Sequence, residues 1–305
     1  MHRFIKSFYA FVKNDYKSLK YLPIFAYASF LIIIIYSFNI YSYIKLLDKG
    51  SFRLFLSYFI IYSISYYPIV FWIKIVDKQL KIGALFWLKT TIVIFILSLS
   101  PTIDLYAIIG HLYSSDYGYL IRKSAYNLKA IIITTLIIAL SWNAVWKNTG
   151  NFMWISFKKN YYELLVPISL VILIIVVIAI NLSGFNNSYP SFKIHYIDNA
   201  SICSSYIQMI IFQIAYSLDF LSVELLFRGA LVLGLYKLMG TNAILPMITL
   251  YAVLHMGKPL GETISSFFGG YVLAYITLYY NSIVPAFLIH VILALGMEWA
   301  AHLCF

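Results

Sequence analysis

Five ionisable side chains interrupt the last third of a chain that is otherwise mostly hydrocarbon: Glu224, Arg228, His255, Glu262 and His290. A carboxylate paired with an imidazole is the combination that activates water, by general-base action or through a bound metal. A second imidazole can donate to the oxyanion that forms when water adds to a carbonyl. Two glutamates, two histidines and an arginine therefore suggest hydrolysis inside an apolar medium. Placing a charge at a bilayer centre costs roughly 2.5–3.5 kcal/mol, so such residues are expected to face a protein interior, a partner or a wet cavity.

Each residue also has a plainer reading. Glu224 and Arg228 are four apart and share one helical face, with the glutamate on the favourable N-terminal side, so they can form a self-neutralising pair. Gly229 beside them lets another element approach closely. His255 closes the apolar run Tyr251-Ala252-Val253-Leu254 just before Met256-Gly257-Lys258-Pro259-Leu260-Gly261, and a membrane histidine there can serve as an interhelical hydrogen bonder. Glu262 opens the next helix, where a carboxylate complements the helix dipole; the Gly/Pro turn could equally fold it back toward His255. His290, Ala294 and Glu298 follow at four-residue spacing along one helical face. Glu298 and His302 are expected nearer the membrane interface and rank below His290. Ser266, Gly270 and Ala274 form a stripe of small residues, which reads as packing.

The elements that position these residues are membrane helices. Of 305 residues, 62% are hydrophobic and 11% charged, with mean hydropathy +0.86; a soluble domain carries about 25% charged residues. The fold expected is an all-α, polytopic transmembrane bundle of about eight or nine spans. Windows near 22–45, 54–75, 83–101, 128–147, 163–183, 202–220 and 282–303 are long enough to cross a bilayer, with shorter helices near 221–239, 242–256 and 262–280. The Tyr-rich segment 104–121, carrying Asp104, His111 and Asp116, reads as interfacial.

The net charge of +11 resides in short loops rather than on a basic stripe, so it argues against a nucleic-acid partner and for the positive-inside rule. Arg3, Lys6, Lys13, Lys17 and Lys20 place the N terminus on the cytoplasmic side, although Arg122, Lys123 and Lys129 fall on the wrong side unless 104–121 also crosses. Residues 1–20 read as a surface-lying amphipathic helix, with Phe4, Phe8 and Phe11 opposite Lys6, Lys13 and Lys17. Cys203 and Cys304 have no metal-ligand spacing, and no signal peptide or prenylation signal is apparent. The long polar loop 181–201 divides the chain into an N-terminal scaffold, 1–200, and a functional bundle, 201–305. No internal repeat appears, which weighs against an inverted-repeat transporter relaying protons through Glu224, His255 and His290.

The order of motifs, Glu224-Leu-Leu-Phe-Arg-Gly229, Tyr251-xxx-His255, Phe267-Phe-Gly-Gly270 and Ser282-Ile-Val-Pro285 leading to His290, resembles the CPBP family of intramembrane proteases, which includes CAAX proteases and bacteriocin-processing or abortive-infection proteins. The resemblance covers about residues 203–303. It implies an endopeptidase cutting a membrane-associated peptide, with Glu224 as base or orienter of the base, His255 binding water, His290 donating to the oxyanion and Arg228 holding Glu224. Glu262 is a possible second carboxylate. A divalent metal such as zinc, if used, would be held by His255, His290 and Glu224. Val223 stands where the family has its first glutamate, Ala294 where it has an asparagine, and Tyr251 where it has a phenylalanine. The departures at Val223 and Ala294 also fit a catalytically silent relative that binds another membrane protein. A bacterial plasma membrane is the expected setting.

Overall fold

The chain forms a bundle of helices in a computed structural model, which describes residues 2–16, 21–80, 82–114, 117–157, 159–181, 185–194 and 202–304. The division expected at 200/201, the loop residues Asp198 and Asn199, and the side chains of Lys17, Lys20, Asp116 and Cys203 lie outside the described residues. In chain order the helices are α1 (His2–Tyr16), α2 (Tyr21–Ser37), α3 (Ile40–Lys45), α4 (Phe52–Val76), α5 (Ala84–Thr102), α6 (Leu105–Ile109) and α7 (Gly118–Ser141). They continue with α8 (Tyr162–Ile180), α9 (Phe185–Ser188), α10 (Ile202–Glu224), α11 (Tyr236–Met239), α12 (Ile244–Leu254), α13 (Leu260–Tyr280) and α14 (Val284–Cys304). No strand occurs among the described residues.

Among the described residues six segments are long and apolar enough to cross a membrane: Phe52–Val76, Ala84–Thr102, Gly118–Thr149, Tyr162–Ile180, Ser205–Leu254 and Val284–Cys304. The count is lower than the sequence windows suggest for two reasons. The first window breaks at Asn39, in the left-handed region at φ 48°, which leaves α2 with 17 residues. The windows at 202–220, 221–239 and 242–256 fall within one 50-residue segment. The segment after Asp104 makes only the five-residue α6 and a five-residue 3-10 turn, too short to cross. Arg122 and Lys123 therefore remain at the end of the bundle opposite Lys74 and Lys147.

In a bilayer each backbone and hydroxyl group needs an internal partner. Ser65, Ser98, Thr102 and Thr277 accordingly donate to the carbonyl four residues earlier, at 2.6–2.9 Å. The outward side chains are apolar: Leu170, Leu173, Ile174 and Ile178 of α8 are all exposed, as lipid-facing residues are.

Contacts at the two ends fix the direction of the helices. At one end Tyr36 donates to the Lys258 carbonyl at 2.7 Å. At the other, the Asn242 amide donates to Asp77 at 3.2 Å, and Ser282 donates to the Ser156 carbonyl at 2.8 Å. α13 runs between these ends. The amphipathic α1 is docked on α13: Phe8 and Phe11 pack on Tyr275 with ring centroids 4.9 and 4.8 Å apart, and Tyr275 hydrogen-bonds Ser7 at 2.6 Å.

Candidate active site

α10 ends at Glu224, and the chain continues as a nine-residue π-helical stretch, Leu225–Leu233, that carries Arg228. A π-helical turn makes i→i+5 bonds and is found often at functional sites; here Gly234 N–H reaches the Gly229 carbonyl at 2.7 Å. The stretch is seated on Trp154, which occupies the space a Cβ at Gly229 would need, 2.5 Å from the indole. This is the close approach that Gly229 suggested. At its far end Lys89, 2% exposed, donates to the Gly234 carbonyl at 2.7 Å and lies over the Trp146 ring.

Glu224 and Arg228 are both fully buried. One carboxylate oxygen, Oε1, accepts from Arg228 Nη1 at 3.1 Å and faces His290 Nδ1 at 2.9 Å. An ionised carboxylate only accepts, so Nδ1 of His290 carries the proton and Nε2 is directed away. The other oxygen, Oε2, has no hydrogen-bond partner among the described residues. Glu224 therefore joins α10 to α14 and orders one face of the His290 ring; the other packs on Phe220, 4.3 Å between centroids.

His255 follows the last residue of α12, and its Nδ1 lies 2.8 Å from the Tyr251 carbonyl. A carbonyl cannot donate, so this nitrogen is protonated and Nε2 holds the lone pair in the neutral ring. Both imidazoles are half-buried while Glu224 and Arg228 are sealed, so the site has a buried charged floor and a reachable imidazole layer.

Tyr251 connects these parts. Its ring stands edge-on to His255 at 4.8 Å and lies under the Arg228 guanidinium at 4.3 Å. Its hydroxyl is 3.5 Å from His290 Nε2. The sequence singles Tyr251 out only as a replacement for phenylalanine; the added hydroxyl on the His255 side of an apolar helix was the signal for a functional role. Gly270 makes its position possible, since a Cβ there would stand 3.1 Å from the Tyr251 ring. Ser266, Gly270 and Ala274 are indeed buried against a neighbour.

Glu262 makes a different set of contacts. Its Oε1 lies 3.5 Å from Lys258 Nζ and accepts from Tyr189 at 3.5 Å; among the described residues it hydrogen-bonds neither imidazole. Burial and the adjacent Glu262 carboxylate push the Tyr189 hydroxyl upward in pKa, so it remains a donor. Glu298, expected near the interface, is fully buried, and its two oxygens accept from Ser191 N–H at 2.9 and 3.0 Å. It holds the 185–194 segment against α14. Val223 is half-buried, packed against the apolar core, and Ala294 is buried; neither offers a polar group.

The residues expected to hold a metal do not form a three-ligand set. Among the described residues no group of three or more His, Cys, Asp and Glu side chains is disposed to hold an ion. Glu224 Oε1 is already engaged by Arg228 and His290, and each imidazole has one nitrogen committed to the protein.

Fold and site together define a polytopic helical membrane protein with a buried carboxylate–guanidinium pair beneath two half-buried imidazoles. Residues 205–296 match the family model described as Rce1-like, type II CAAX prenyl endopeptidase Rce1-like, and this region supports membership of the CPBP family. No curated protein and no solved structure matches the chain.

Proposed function

We propose that the protein is an intramembrane endopeptidase that hydrolyses a peptide bond of a membrane-associated peptide, using water activated by the Glu224–His290 pair. The observation that carries this reading is the 2.9 Å contact of a fully buried carboxylate with an imidazole whose side chain remains 13% exposed. The Glu224 carboxylate accepts from Nδ1–H of His290 and so leaves the Nε2 lone pair to take a proton from water as oxygen attacks the scissile carbonyl carbon. His255 Nε2 accepts the water's second hydrogen and orients it. The Tyr251 hydroxyl, 3.5 Å from His290 Nε2, donates to the oxyanion. When the C–N bond breaks, His290 returns its proton to the leaving amine, giving a carboxylic acid and an amine with all atoms balanced. Arg228 neutralises Glu224 and fixes its rotamer. Glu262 lies with Lys258 and Tyr189 at the mouth, where it can contact substrate. The proposed setting is a bacterial plasma membrane with α1 on the cytoplasmic side.

Cleavage of membrane peptides by purified protein in lipid, compared with His255→Gln and His290→Gln, tests this reading. Activity in the wild type and its loss in both variants, with unchanged unfolding temperatures, is expected. Val223 and Ala294, which supply no polar group to the site, favour a second reading, a silent relative that binds another membrane protein. Stable capture of a membrane peptide without cleavage, undiminished in both histidine variants, would select it.

A further inference from the structure

A cleft of about 610 Å³ opens at the end of the bundle where α13 finishes, lined in part by Lys147, Lys237, Asn148, Tyr236 and Asn281. It lies one length of α13, 21 residues or about 30 Å, from Glu262, and so is separate from the candidate active site. Its electrostatics are one-sided. No carboxylate lines it, and neither lysine has an ion-pair partner among the described residues. Lys89 adds a third ammonium group beneath the cleft, close enough to interact with Lys237, with one of its three N–H donors held by the Gly234 carbonyl.

The cleft also stands at the boundary of the apolar layer. Lys147 lies in the last turn of the Gly118–Thr149 span. Leu233 and Leu278 form its apolar wall, and Tyr236, which is exposed, adds an aromatic ring to the lining. A ligand suited to this place carries negative charge at one end and hydrocarbon at the other. Basic pockets between spans bind anionic headgroups in this way, and amide groups such as those of Asn148 and Asn281 can donate to phosphate oxygens.

From this arrangement we infer that the cleft is a phosphate-binding site occupied by the headgroup of an anionic phospholipid. The lysine ammonium groups bind the phosphate and the acyl chains run down the outside of α13 beside Leu278. The site anchors the end of the bundle opposite the imidazoles and needs no catalysis.

The test uses the full-length protein in phosphatidylcholine vesicles with trace spin-labelled phosphatidylglycerol or spin-labelled phosphatidylcholine, reading the immobilised fraction. Wild type is expected to prefer phosphatidylglycerol, and the preference to fall by about fivefold for each lysine removed in Lys147→Gln and Lys237→Gln. Lys147→Arg with Lys237→Arg should retain it, which separates lost charge from misfolding. Lys45→Gln with Lys49→Gln, at the other end, should leave it intact. Inorganic phosphate at matched ionic strength distinguishes the source. Failure to displace the lipid supports the headgroup, whereas full displacement keeps the phosphate site but assigns it to a soluble phosphate compound. Equal retention of both lipids by wild type, or a preference unchanged in the double glutamine variant, overturns the inference.

Discussion

His290 on α14 and Glu224 at the end of α10 meet through a 2.9 Å contact, and the same carboxylate oxygen is shared with Arg228. One atom thus serves both charge neutralisation and orientation of an imidazole. The two roles can be separated. Glu224→Gln leaves a buried guanidinium without its counter-charge, which should lower stability by about 3–5 kcal/mol. Glu224→Gln combined with Arg228→Met removes both charges and should recover most of that loss, because replacing a whole buried pair by apolar groups is often neutral. Neither variant should cleave peptide. Thermal unfolding in detergent beside a cleavage assay decides the matter: recovery of activity in the double variant would mean that Glu224 only balances Arg228.

Tyr251→Phe removes the hydroxyl and keeps the ring under Arg228. The cation–π contact at 4.3 Å and the edge-on contact with His255 remain, so unfolding temperature should change little. If the hydroxyl donates to the oxyanion, kcat should fall by about 10²–10³-fold with KM nearly unchanged. Equal kcat in Tyr251→Phe and wild type would reduce Tyr251 to a packing residue.

The bundle, the small-residue face of α13 and the Glu224–Arg228 pair were legible in the sequence because each rests on periodicity or on the expense of a charge in hydrocarbon. What was not legible depends on contacts between residues distant in the chain. Nothing local to Glu298 says that a strap near residue 191 returns to meet it, or that Gly270 faces Tyr251. Lys89 resembles an ordinary lysine near the start of a span until its ammonium is seen bonded to the Gly234 carbonyl. The helix register was also beyond local pattern, since the π-helical stretch at Leu225–Leu233 turns Arg228 to a direction that 3.6-residue periodicity does not give. The contacts of Glu262 were hidden for the same reason: seven residues and a Gly/Pro turn set its reach but not its aim.

Two carboxylates near the 185–194 segment should therefore behave differently. Glu262 is partly exposed and forms a long contact with Lys258, 3.5 Å, of the kind worth about 0–1 kcal/mol. Glu262→Ala should leave unfolding nearly unchanged and cut cleavage far less than loss of either histidine. Glu298→Gln places an amide against the Ser191 N–H in a fully buried site and should cost about 1–3 kcal/mol. It should also raise protease nicking between residues 185 and 194. Limited proteolysis followed by mass spectrometry reads this directly, and a cleavage defect in Glu262→Ala as deep as in His290→Gln would restore Glu262 to the chemistry.

Gly270 offers a test of the site that touches none of its polar atoms. A Cβ at this position would lie 3.1 Å from the Tyr251 ring and 3.4 Å from Ile248, tight for the first atom of a side chain and tighter for any atoms beyond it. Gly270→Val must push Tyr251 toward His255 and Arg228 or force α12 and α13 apart. Overpacking of this kind costs about 1–3 kcal/mol. Gly270→Ala should cost less and retain most activity, because small movements of an aromatic ring can absorb one methyl group. The expected outcome is a graded series in which kcat falls from glycine through alanine to valine, more steeply than unfolding temperature. Combining Gly270→Val with Tyr251→Phe should add little to the loss from Tyr251→Phe alone, since both act through the same hydroxyl. Fully additive losses would show that Gly270 serves the fold and not the position of Tyr251.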